Sequence, residues 1–440
     1  MAAQDHTTHD NIPGFAARRA AFALVQGVLA RKETLADQLA AAHGPLQGLE
    51  PSQRARAQSL ATGTLRHLTR LDAALAPFLE RPPPPAVLSV LRLATHEMLV
   101  DGVPPHAAVD GAVHLARAGR KTGRFTKLVN AVARRVSQTD AKAFAEMPPA
   151  ALPSWLAKPV IRSFGEEAAQ AMAQAHGQTP PVDLCVRDGT PETWAERLGA
   201  DLLPTGALRL SPRSALSSLD GYADGAWWVQ DAAAQCPVAL LGDVRGARVL
   251  DLCAAPGGKT LQLAALGAQV TALDLSGARL ERVRENLDRT GLQAQLVEAD
   301  ARTWTPDAPF DAVLLDAPCS ATGTLRRHPD LPFVRPAPDL TNLLALQADL
   351  IDRAFDCLRP GGTLVYATCS LLPREGERQV ADALARLPGL ARAPWALPQG
   401  WEAGWRTAEG DLRLRPDYWP DLGGMDGFFA ARLMRMRKDG

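Results

Sequence analysis

Two patterns of hydrophobic positions divide the chain. Over residues 15–136, apolar side chains recur three or four positions apart, as in Phe22, Val25 and Leu29, and runs of β-forming residues are missing. This spacing places the apolar side chains on one face of each helix, so an all-helical segment is predicted. The prolines of RPPPP at 81–85 cannot lie inside a helix and separate two groups of helices.

From about residue 247 short apolar strands alternate with amphipathic helices. Strands are predicted at 247–252, 269–274, 294–299, 311–316 and 363–368, and helices from Gly258 and at 278–290, 341–358 and 375–386. This alternation implies right-handed crossovers and a parallel sheet covered on both faces. The C-terminal part is therefore predicted to be a doubly wound, Rossmann-like α/β domain.

A third segment lies between these parts. The proline-rich stretch MPPAALP at 147–153 has the composition of a linker, and a helix near 155–176, a strand at 182–186 and a helix at 190–198 follow it. The 440 residues also suggest about three domains at roughly 150 residues each. We therefore predict a helical domain over 1–147, a small α+β module over 151–235 and the α/β domain over 236–440.

Composition excludes several classes of protein. With 46% hydrophobic and 22% charged residues the chain has the composition of a globular protein. No window approaches the ~18 apolar residues of a membrane span, and the first residues lack the order of a signal peptide, so a cytoplasmic protein without a membrane partner is expected. Six cysteines without a C-x-x-C pair indicate free thiols and no metal centre.

Charge is unevenly distributed although the 48 basic and 48 acidic residues cancel. The first 150 residues hold 18 Lys/Arg against 12 Asp/Glu, and 111–139 has no acidic residue. That stretch contains seven basic ones: Arg117, Arg120, Lys121, Arg124, Lys127, Arg134 and Arg135. It predicts contact with nucleic-acid phosphates, and a merely solvated helix face is the alternative.

Aspartates stand at four successive strand ends, where doubly wound sheets bind their ligands. Asp274, 23 residues after Asp251, is placed to accept hydrogen bonds from both ribose hydroxyls of a nucleoside. Asp300 is predicted to meet an adenine amine, and Asp316 to lie next to the reaction centre. Any single strand-end Asp could merely cap the next helix. Four in succession favour a nucleoside cofactor.

The first of these strands runs into the turn LCAAPGGKT. A phosphate-binding P-loop needs glycine five positions before Gly258, where this chain has Cys253, and the dinucleotide pattern G-x-G-x-x-G is also missing. A turn of small residues that a ligand can approach closely, without a pyrophosphate site, suits S-adenosylmethionine.

Two cysteines also occupy strand-end positions. Cys319 follows Asp316 in DAPCSATGT, and Cys369 ends the fifth strand in YATCS, whereas buried structural roles are expected for Cys185, Cys236 and Cys357. A thiolate is the nucleophile suited to add to carbon 6 of a pyrimidine, which enables carbon 5 to take a methyl group.

Four motifs resemble those of the Sun/Fmu-type RNA 5-methylcytosine methyltransferases: DLCAAPGGKT (251–260), LLDAPCSATGTLRRHPD (314–330), YATCSLLPRE (366–375) and DGFF (426–429). The first 140 residues resemble the NusB-like RNA-binding domain that precedes the catalytic part in bacterial enzymes of this family that act on small-subunit (16S) ribosomal RNA. The resemblance implies S-adenosylmethionine as cofactor, ribosomal RNA as partner and methylation of carbon 5 of a specific cytidine.

The resemblance also implies roles for individual residues. Cys369 is the nucleophile, Cys319 assists release of the product, and Asp316 hydrogen-bonds the polar edge of the cytosine. The implied cofactor site consists of Cys253, Ala254, Ala255, Pro256, Gly257, Gly258, Lys259, Asp274, Asp300 and Asp316. Lys259 either reaches the target nucleotide or forms a structural ion pair. The family's Glu-Asn after the nucleophile motif is here Glu375-Gly376, and its role is left open.

Several alternatives remain at this level. The substrate could be another RNA such as tRNA, the enzyme could methylate an amine or a protein, or the chain could be a non-catalytic NusB-like factor. Trp227 and Trp228 could stack on a base, but packing at a domain junction is the preferred interpretation. Nothing in the sequence demands a dimer, so a monomer is the default expectation.

Overall fold

The computed structural model describes residues 14–41, 43–188, 190–210, 216–334 and 340–437. Its contacts divide these residues into two compact units. The helical unit contains the described residues of 1–157, 169–179 and 325–337, and the sheet unit those of 158–168, 180–324 and 338–440. The three predicted domain boundaries stay a prediction.

The helices and strands follow the predicted order, except that the helix predicted near 155–176 is divided at Gly165, which has a φ of 86°, and that strands after residue 386 are added. The helices are α1 Phe15–Gln26, α2 Leu35–Ala40, α3 Pro51–Arg66, α4 Leu68–Leu75, α5 Pro85–Leu99, α6 Pro105–Ala118, α7 Thr126–Val136, α8 Ala141–Ala145, α9 Ser154–Phe164, α10 Glu166–His176, α11 Pro191–Leu198, α12 Ala232–Ala239, α13 Gly258–Ala265, α14 Gly277–Thr290, α15 Leu331–Val334, α16 Thr341–Cys357 and α17 Glu377–Arg386. The strands are β1 Val182–Val186, β2 Asp201–Leu202, β3 Leu208–Leu210, β4 Trp227–Val229, β5 Arg248–Leu252, β6 Gln269–Asp274, β7 Gln295–Glu298, β8 Phe310–Asp316, β9 Leu358–Thr368, β10 Leu390–Arg392, β11 Leu412–Leu414 and β12 Phe428–Arg435.

The helical unit has one hydrophobic core, built from the faces that the sequence pattern predicted. Val25, Leu60 and Leu91 are almost fully buried in this core, on three different helices. Pro85 stands at the first position of α5, where its missing N–H costs no hydrogen bond, so the proline run does separate two groups of helices. The prediction of an all-helical segment is confirmed.

A segment from late in the chain belongs to the helical unit. Phe333 and Val334, in α15, pack against its core, and the carboxylate of Asp330 accepts a hydrogen bond at 2.9 Å from the backbone N–H of Leu35, the first residue of α2. The residues directly before this segment, up to Thr324, belong to the sheet unit. No pattern in the sequence predicted that this late segment packs with the N-terminal helices.

The large sheet has the order β10-β12-β9-β8-β5-β6-β7, with β11 beside β12. The strands from β9 to β7 are parallel, as predicted, whereas β12 is antiparallel to β9, and β10 and β11 are antiparallel to β12. This antiparallel edge was not predicted. Most of β12 is buried without regular alternation, so its sequence lacks the period of two by which a half-buried strand is recognised.

Both faces of the parallel strands are covered. Leu252 and Leu315 belong to one hydrophobic cluster, with α16 and α17, and Val249 and Leu314 belong to another, with α12 and α13. Neighbouring residues of a strand point to opposite faces, so this division follows from the pleat. Within the described ranges, no helix is both long and apolar enough to cross a membrane.

A smaller antiparallel sheet, β2-β3-β1-β4, precedes the large one and belongs to the same unit. Trp227 and Trp228, on β4, are 0% and 3% exposed, so both pack in the interior, as the preferred interpretation had it. Asp183 on β1 and Arg209 on β3 form a buried ion pair, with an N–O distance of 2.7 Å. The Asp183 carboxylate also accepts the backbone N–H of Ala232, which begins α12.

Candidate active site

The predicted site residues lie at the carboxyl end of the parallel strands. The turn 253–257 joins β5 to α13, and the loops that follow β8 and β9 carry Cys319 and Cys369. The turn is tied to the neighbouring strand: Ala254 donates its backbone N–H to the carbonyl of Leu273 at 3.1 Å, and Ala255 donates to the carboxylate of Asp274 at 3.1 Å.

The turn permits close approach because of its small residues and unusual backbone. Cys253 has a φ of 62° and Gly257 a φ of 101°. A Cβ on Gly257 would lie 2.9 Å from Cγ1 of Val283, on α14, so glycine is needed here for conformation and for space.

Carboxylates dominate the charge around this turn. Burial, followed by the charges of Asp274, Asp316 and Asp251, raises the pKa of the Cys253 thiol to about 12. The carboxylates near this position, Asp274 and Asp316 above all, disfavour a pyrophosphate and favour a ligand that carries positive charge. A sulfonium cofactor with an ammonium group meets that requirement.

The end of β6 exposes an apolar side chain beside a buried acid. Asp274 is 2% exposed, and its carboxylate accepts backbone N–H groups from Ala255 and Ser276 and contacts Arg279 at 3.4 Å. Leu275, the next residue, is 70% exposed. An exposed leucine beside the turn offers an apolar surface for a flat ring, so Leu275 is a candidate cofactor contact that the sequence analysis did not identify. Its signal was its place directly after a strand-end Asp.

Asp300 is bound by a neighbouring residue. In the described structure its carboxylate takes its hydrogen bonds from Arg302, by the backbone N–H at 2.9 Å and by a bidentate guanidinium contact of 2.6 Å at its shorter side. These hydrogen bonds lower the pKa of Asp300 to about 2. Its contacts do not join it to the other predicted cofactor residues, so its role toward adenine stays a prediction.

Asp251 is a buried carboxyl at the start of the turn. It is 0% exposed, accepts a hydrogen bond from the Thr260 hydroxyl at 2.6 Å, and its Oδ1 has no hydrogen-bond partner among the described residues. Burial raises its pKa to about 7, against the opposing effects of Thr260 and Lys259. An unpaired acceptor oxygen at this position is suited to a donor on a ligand.

The raised pKa of Asp251 predicts a pH-dependent effect on stability. Because its folded-state pKa lies above its unfolded value, its contribution to stability is largest at low pH and is lost as pH rises toward and through 7. We expect Asp251→Asn to gain about 3 kcal/mol more free energy of unfolding over the wild type at pH 9 than at pH 5. Urea denaturation at both pH values measures this difference. An equal effect at both values would show that Asp251 stays ionised throughout.

Lys259 and Asp316 form an ion pair beside the turn. The Lys259 Nζ lies 2.7 Å from the Asp316 carboxylate and 4.9 Å from the centre of the Phe428 ring. Burial alone would lower the pKa of Lys259, but the charges of Asp316, Asp251 and Cys369 raise it above its ordinary value. Lys259 is therefore a permanent cation, and its ion pair leaves Asp316 30% exposed.

The two strand-end cysteines meet. The Cys319 Sγ lies 3.4 Å from the Cys369 Sγ, and both residues are partly exposed. The hydrogen bond to Cys369, burial and the charge of Glu375 raise the pKa of the Cys319 thiol well above its ordinary value. Cys319 therefore holds its thiol proton and can donate it in the contact with the Cys369 sulfur. By contrast Cys185, Cys236 and Cys357 are buried, as expected.

Two glycines bring the second, third and last motifs together. Gly323 donates its backbone N–H to the carbonyl of Cys369 at 2.9 Å, and Gly427 donates to the carbonyl of Gly323 at 2.8 Å. A Cβ on Gly323 would lie 2.1 Å from the Gly427 oxygen. The backbones thus pack directly on each other, which explains the glycines of SATGT and DGFF.

The comparisons with known proteins agree with this arrangement. The family described as 16S rRNA methyltransferase RsmB/F matches residues 238–434, and the NusB family matches residues 16–138. A solved structure titled PH0851 has a TM-score of 0.71 at 22% identity, covering 97% of this chain and 99% of its own, which bears on the fold alone. The predicted fold class is confirmed.

Two relatives cover nearly the whole length of the chain. Ribosomal RNA small subunit methyltransferase B of Pseudomonas putida is 37% identical over 448 residues, with 96% of this chain and 98% of the relative covered. The protein of the same name from Xanthomonas campestris is 38% identical, with 96% and 98% covered. Identity of this extent, together with the match of the catalytic segment, shows that the chain belongs to the RsmB/F family of 16S rRNA methyltransferases.

Proposed function

We propose that this enzyme transfers a methyl group from S-adenosylmethionine to carbon 5 of a cytidine in small-subunit ribosomal RNA, through a covalent bond between Cys369 and carbon 6. The observation that carries the proposal is the pair of thiols 3.4 Å apart in loops that begin at the ends of two neighbouring parallel strands. Methylation of an amine or a protein has no use for two adjacent thiols.

The turn and its surroundings fit S-adenosylmethionine. The carboxylates near Cys253, the unpaired Oδ1 of Asp251 and the exposed Leu275 suit a ligand with a positive charge, hydrogen-bond donors and a flat ring. When bound, the cofactor supplies an electrophilic methyl group. We propose residues 253–259, Asp274, Asp300 and Asp316 as its contacts, as the resemblance implies.

Cys369 begins the reaction by adding its thiolate to carbon 6 of the cytosine, which places the electron pair of the double bond at carbon 5. The target base must be unpaired or flipped out of its helix for this approach. Asp316, which remains partly exposed beside Lys259, hydrogen-bonds the polar edge of the ring and stabilises the added state. Carbon 5 then takes the methyl group.

Cys319 ends the reaction by removing the proton of carbon 5. In the free enzyme its hydrogen bond to Cys369 is the largest cause of its raised pKa, and this cause disappears once Cys369 is a neutral thioether. Cys319 then releases its proton to solvent and accepts the carbon 5 proton as a thiolate. The electron pair of that C–H bond re-forms the ring double bond and expels Cys369, so one proton is released overall.

The product nucleoside tests the function. We expect 16S rRNA incubated with the enzyme and methyl-labelled S-adenosylmethionine to yield labelled 5-methylcytidine after digestion to nucleosides. Label in tRNA alone would move the substrate to another RNA, and label in protein or in an exocyclic amine would contradict the proposal.

The helical unit presents a basic surface that suits ribosomal RNA. All seven basic residues of 111–139 are exposed, and the described residues provide no ion pair for any of them. Arg124 also lies 4.8 Å above the ring of Phe125. We propose that this surface, on α6, α7 and the turn between them, contacts RNA phosphates.

Charge reversal on this surface should weaken the salt dependence of RNA binding. Arg120→Glu, Lys121→Glu and Arg124→Glu together remove up to three phosphate contacts, so the slope of log affinity against log salt should fall by about 2. Filter binding between 50 and 300 mM salt measures it. An unchanged slope would remove the helical unit from RNA binding.

A charge-matched control separates a local effect from net charge. Arg197, Arg284 and Arg386 are arginines of the sheet unit that pair with acidic residues, and their reversal changes the net charge equally. We expect the slope of that triple variant to remain close to the wild-type value.

We further propose that the enzyme acts as a monomer in the cytoplasm. Light scattering at micromolar concentration tests the oligomeric state.

A further inference from the structure

One buried carboxylate contacts both cysteine loops. Glu375 is 0% exposed, and its Oε1 accepts the backbone N–H of Ser320 at 2.8 Å. Its Oε2 accepts the hydroxyls of Ser320 and Ser370, each at 2.5 Å. These serines directly follow Cys319 and Cys369, so a single anion is bonded to the residue after each thiol.

The same carboxylate is itself fixed from two further directions. Gln347, on α16, donates one hydrogen bond to Glu375 Oε1 at 3.1 Å and another to the carbonyl of Pro318 at 2.8 Å. The hydroxyl of Tyr366, on β9, donates to the backbone carbonyl of Glu375 at 2.6 Å. Glu375 therefore cannot shift without disturbing the residues on both sides of Cys319.

We propose that Glu375 is a positioning residue of the two-thiol site, whose carboxylate holds the loops of Cys319 and Cys369 so that their sulfurs stay within hydrogen-bond distance. Hydrogen bonds to an ionised acceptor are short and about twice as strong as neutral ones, which suits a device that fixes two loops. The inference rests on the proposed function of the two cysteines. The sequence left the role of Glu375, in the nucleophile motif, open; the proposal assigns it the positioning of the two cysteine loops.

The charge of Glu375 has a second consequence. The groups that act on the Cys319 thiol are Cys369, Glu375 and the backbone N–H of Ala321, and the negative charge of Glu375 is one cause of the raised pKa of Cys319. Removing that charge makes the Cys319 thiolate easier to form, because one repulsive interaction is lost.

Thiol alkylation, which needs no RNA, tests whether the charge of Glu375 suppresses ionisation of the Cys319 thiol. The amide of Glu375→Gln has the same shape and can donate to the two serine hydroxyls, but it carries no charge. We expect iodoacetamide to alkylate Cys319 about tenfold faster than in the wild type at pH 8, because more of the thiol is ionised once the charge of Glu375 is removed. Mass spectrometry of the Cys319 peptide across pH 6–10 gives the rate.

Steady-state kinetics tests the positioning role. We expect Glu375→Gln to lower kcat by a factor of about ten to one hundred, since a small misplacement of reacting groups has effects of that size, with KM for RNA and cofactor within twofold of wild type. Ser370→Ala removes the hydrogen bond between Glu375 and the Cys369 loop, and with it the contacts of the same hydroxyl to Ser320, Thr322 and the backbone N–H of Leu372. It leaves the charge of Glu375 in place, so it should lower kcat without accelerating alkylation of Cys319.

Asp411→Asn is the matched control. Asp411 is 2% exposed and pairs with Arg392 at 2.9 Å, and none of its described contacts reaches a cysteine loop. We expect this control to keep the wild-type kcat and alkylation rate, whatever its effect on the melting temperature.

The inference is overturned if Glu375→Gln matches Asp411→Asn in both kcat and alkylation, or if its kcat loss is accompanied by an equal rise in KM. If Glu375→Gln does not fold, a wild-type kcat in Ser370→Ala overturns it instead. Failure of the proposed function is distinguishable, because then the wild type labels no cytidine while the alkylation difference persists.

Discussion

Cys369→Ala should abolish both methyl transfer and any covalent complex with RNA, whereas Cys319→Ala should form a complex that is not resolved. Cys369 supplies the thiolate, and without it carbon 5 does not become nucleophilic, so we expect a loss in rate of at least about 10⁴. Without Cys319 the adduct forms but its carbon 5 proton is retained, because the group 3.4 Å from the nucleophile is missing.

Denaturing gel electrophoresis with labelled S-adenosylmethionine and 16S rRNA separates these outcomes. Protein–RNA adduct should accumulate in Cys319→Ala, and neither adduct nor 5-methylcytidine should form in Cys369→Ala. Cys185→Ala, which removes a buried thiol of the small sheet, serves as the control and should retain activity. An adduct found only in Cys369→Ala would exchange the two roles.

Asp183→Ala should destabilise the sheet unit by about 3–5 kcal/mol, because it leaves a buried guanidinium without its partner. Asp183 and Arg209 are 0% and 4% exposed, and the guanidinium contacts both carboxylate oxygens at 2.7 Å. The same carboxylate binds the N-terminus of α12, so this variant also removes a tie between the small sheet and the first helix after it.

Chemical denaturation monitored by tryptophan fluorescence measures this loss. Asp220→Ala is the control, because Asp220 also accepts two hydrogen bonds from an arginine, Arg197, but both side chains are about half exposed. We expect the control to lose no more than about 1 kcal/mol, since water screens an exposed pair. Equal losses in the two variants would show that burial of the Asp183 pair has no energetic consequence.

Much of the sheet follows directly from local sequence. The predicted strands and helices of the parallel part agree with β5 to β9 and their helices within a few residues, because apolar runs of strand length alternate there with helical spacing. The edge strands β10 to β12 have no such signal. Their antiparallel pairing depends on contacts with β9 that lie far apart in sequence.

The site likewise combines features that local sequence predicts with features that only tertiary contacts determine. The motifs indicated two thiols, a cofactor turn and the acidic strand ends, because each of these is a local property of a strand and the residues after it. That Lys259 pairs with Asp316, and that Cys319 lies against Cys369, results from the order β9-β8-β5, which places the loops after these strands side by side.

By itself the sequence determined the element types, the family and the residues that carry the chemistry. The tertiary structure alone decided that Glu375 binds the residue after each cysteine and that residues 325–334 join the helical unit. The physical reason is the same in both cases. The contacts of Glu375 and of residues 325–334 are made with partners distant in sequence. Neither a periodicity nor a local motif identifies those partners.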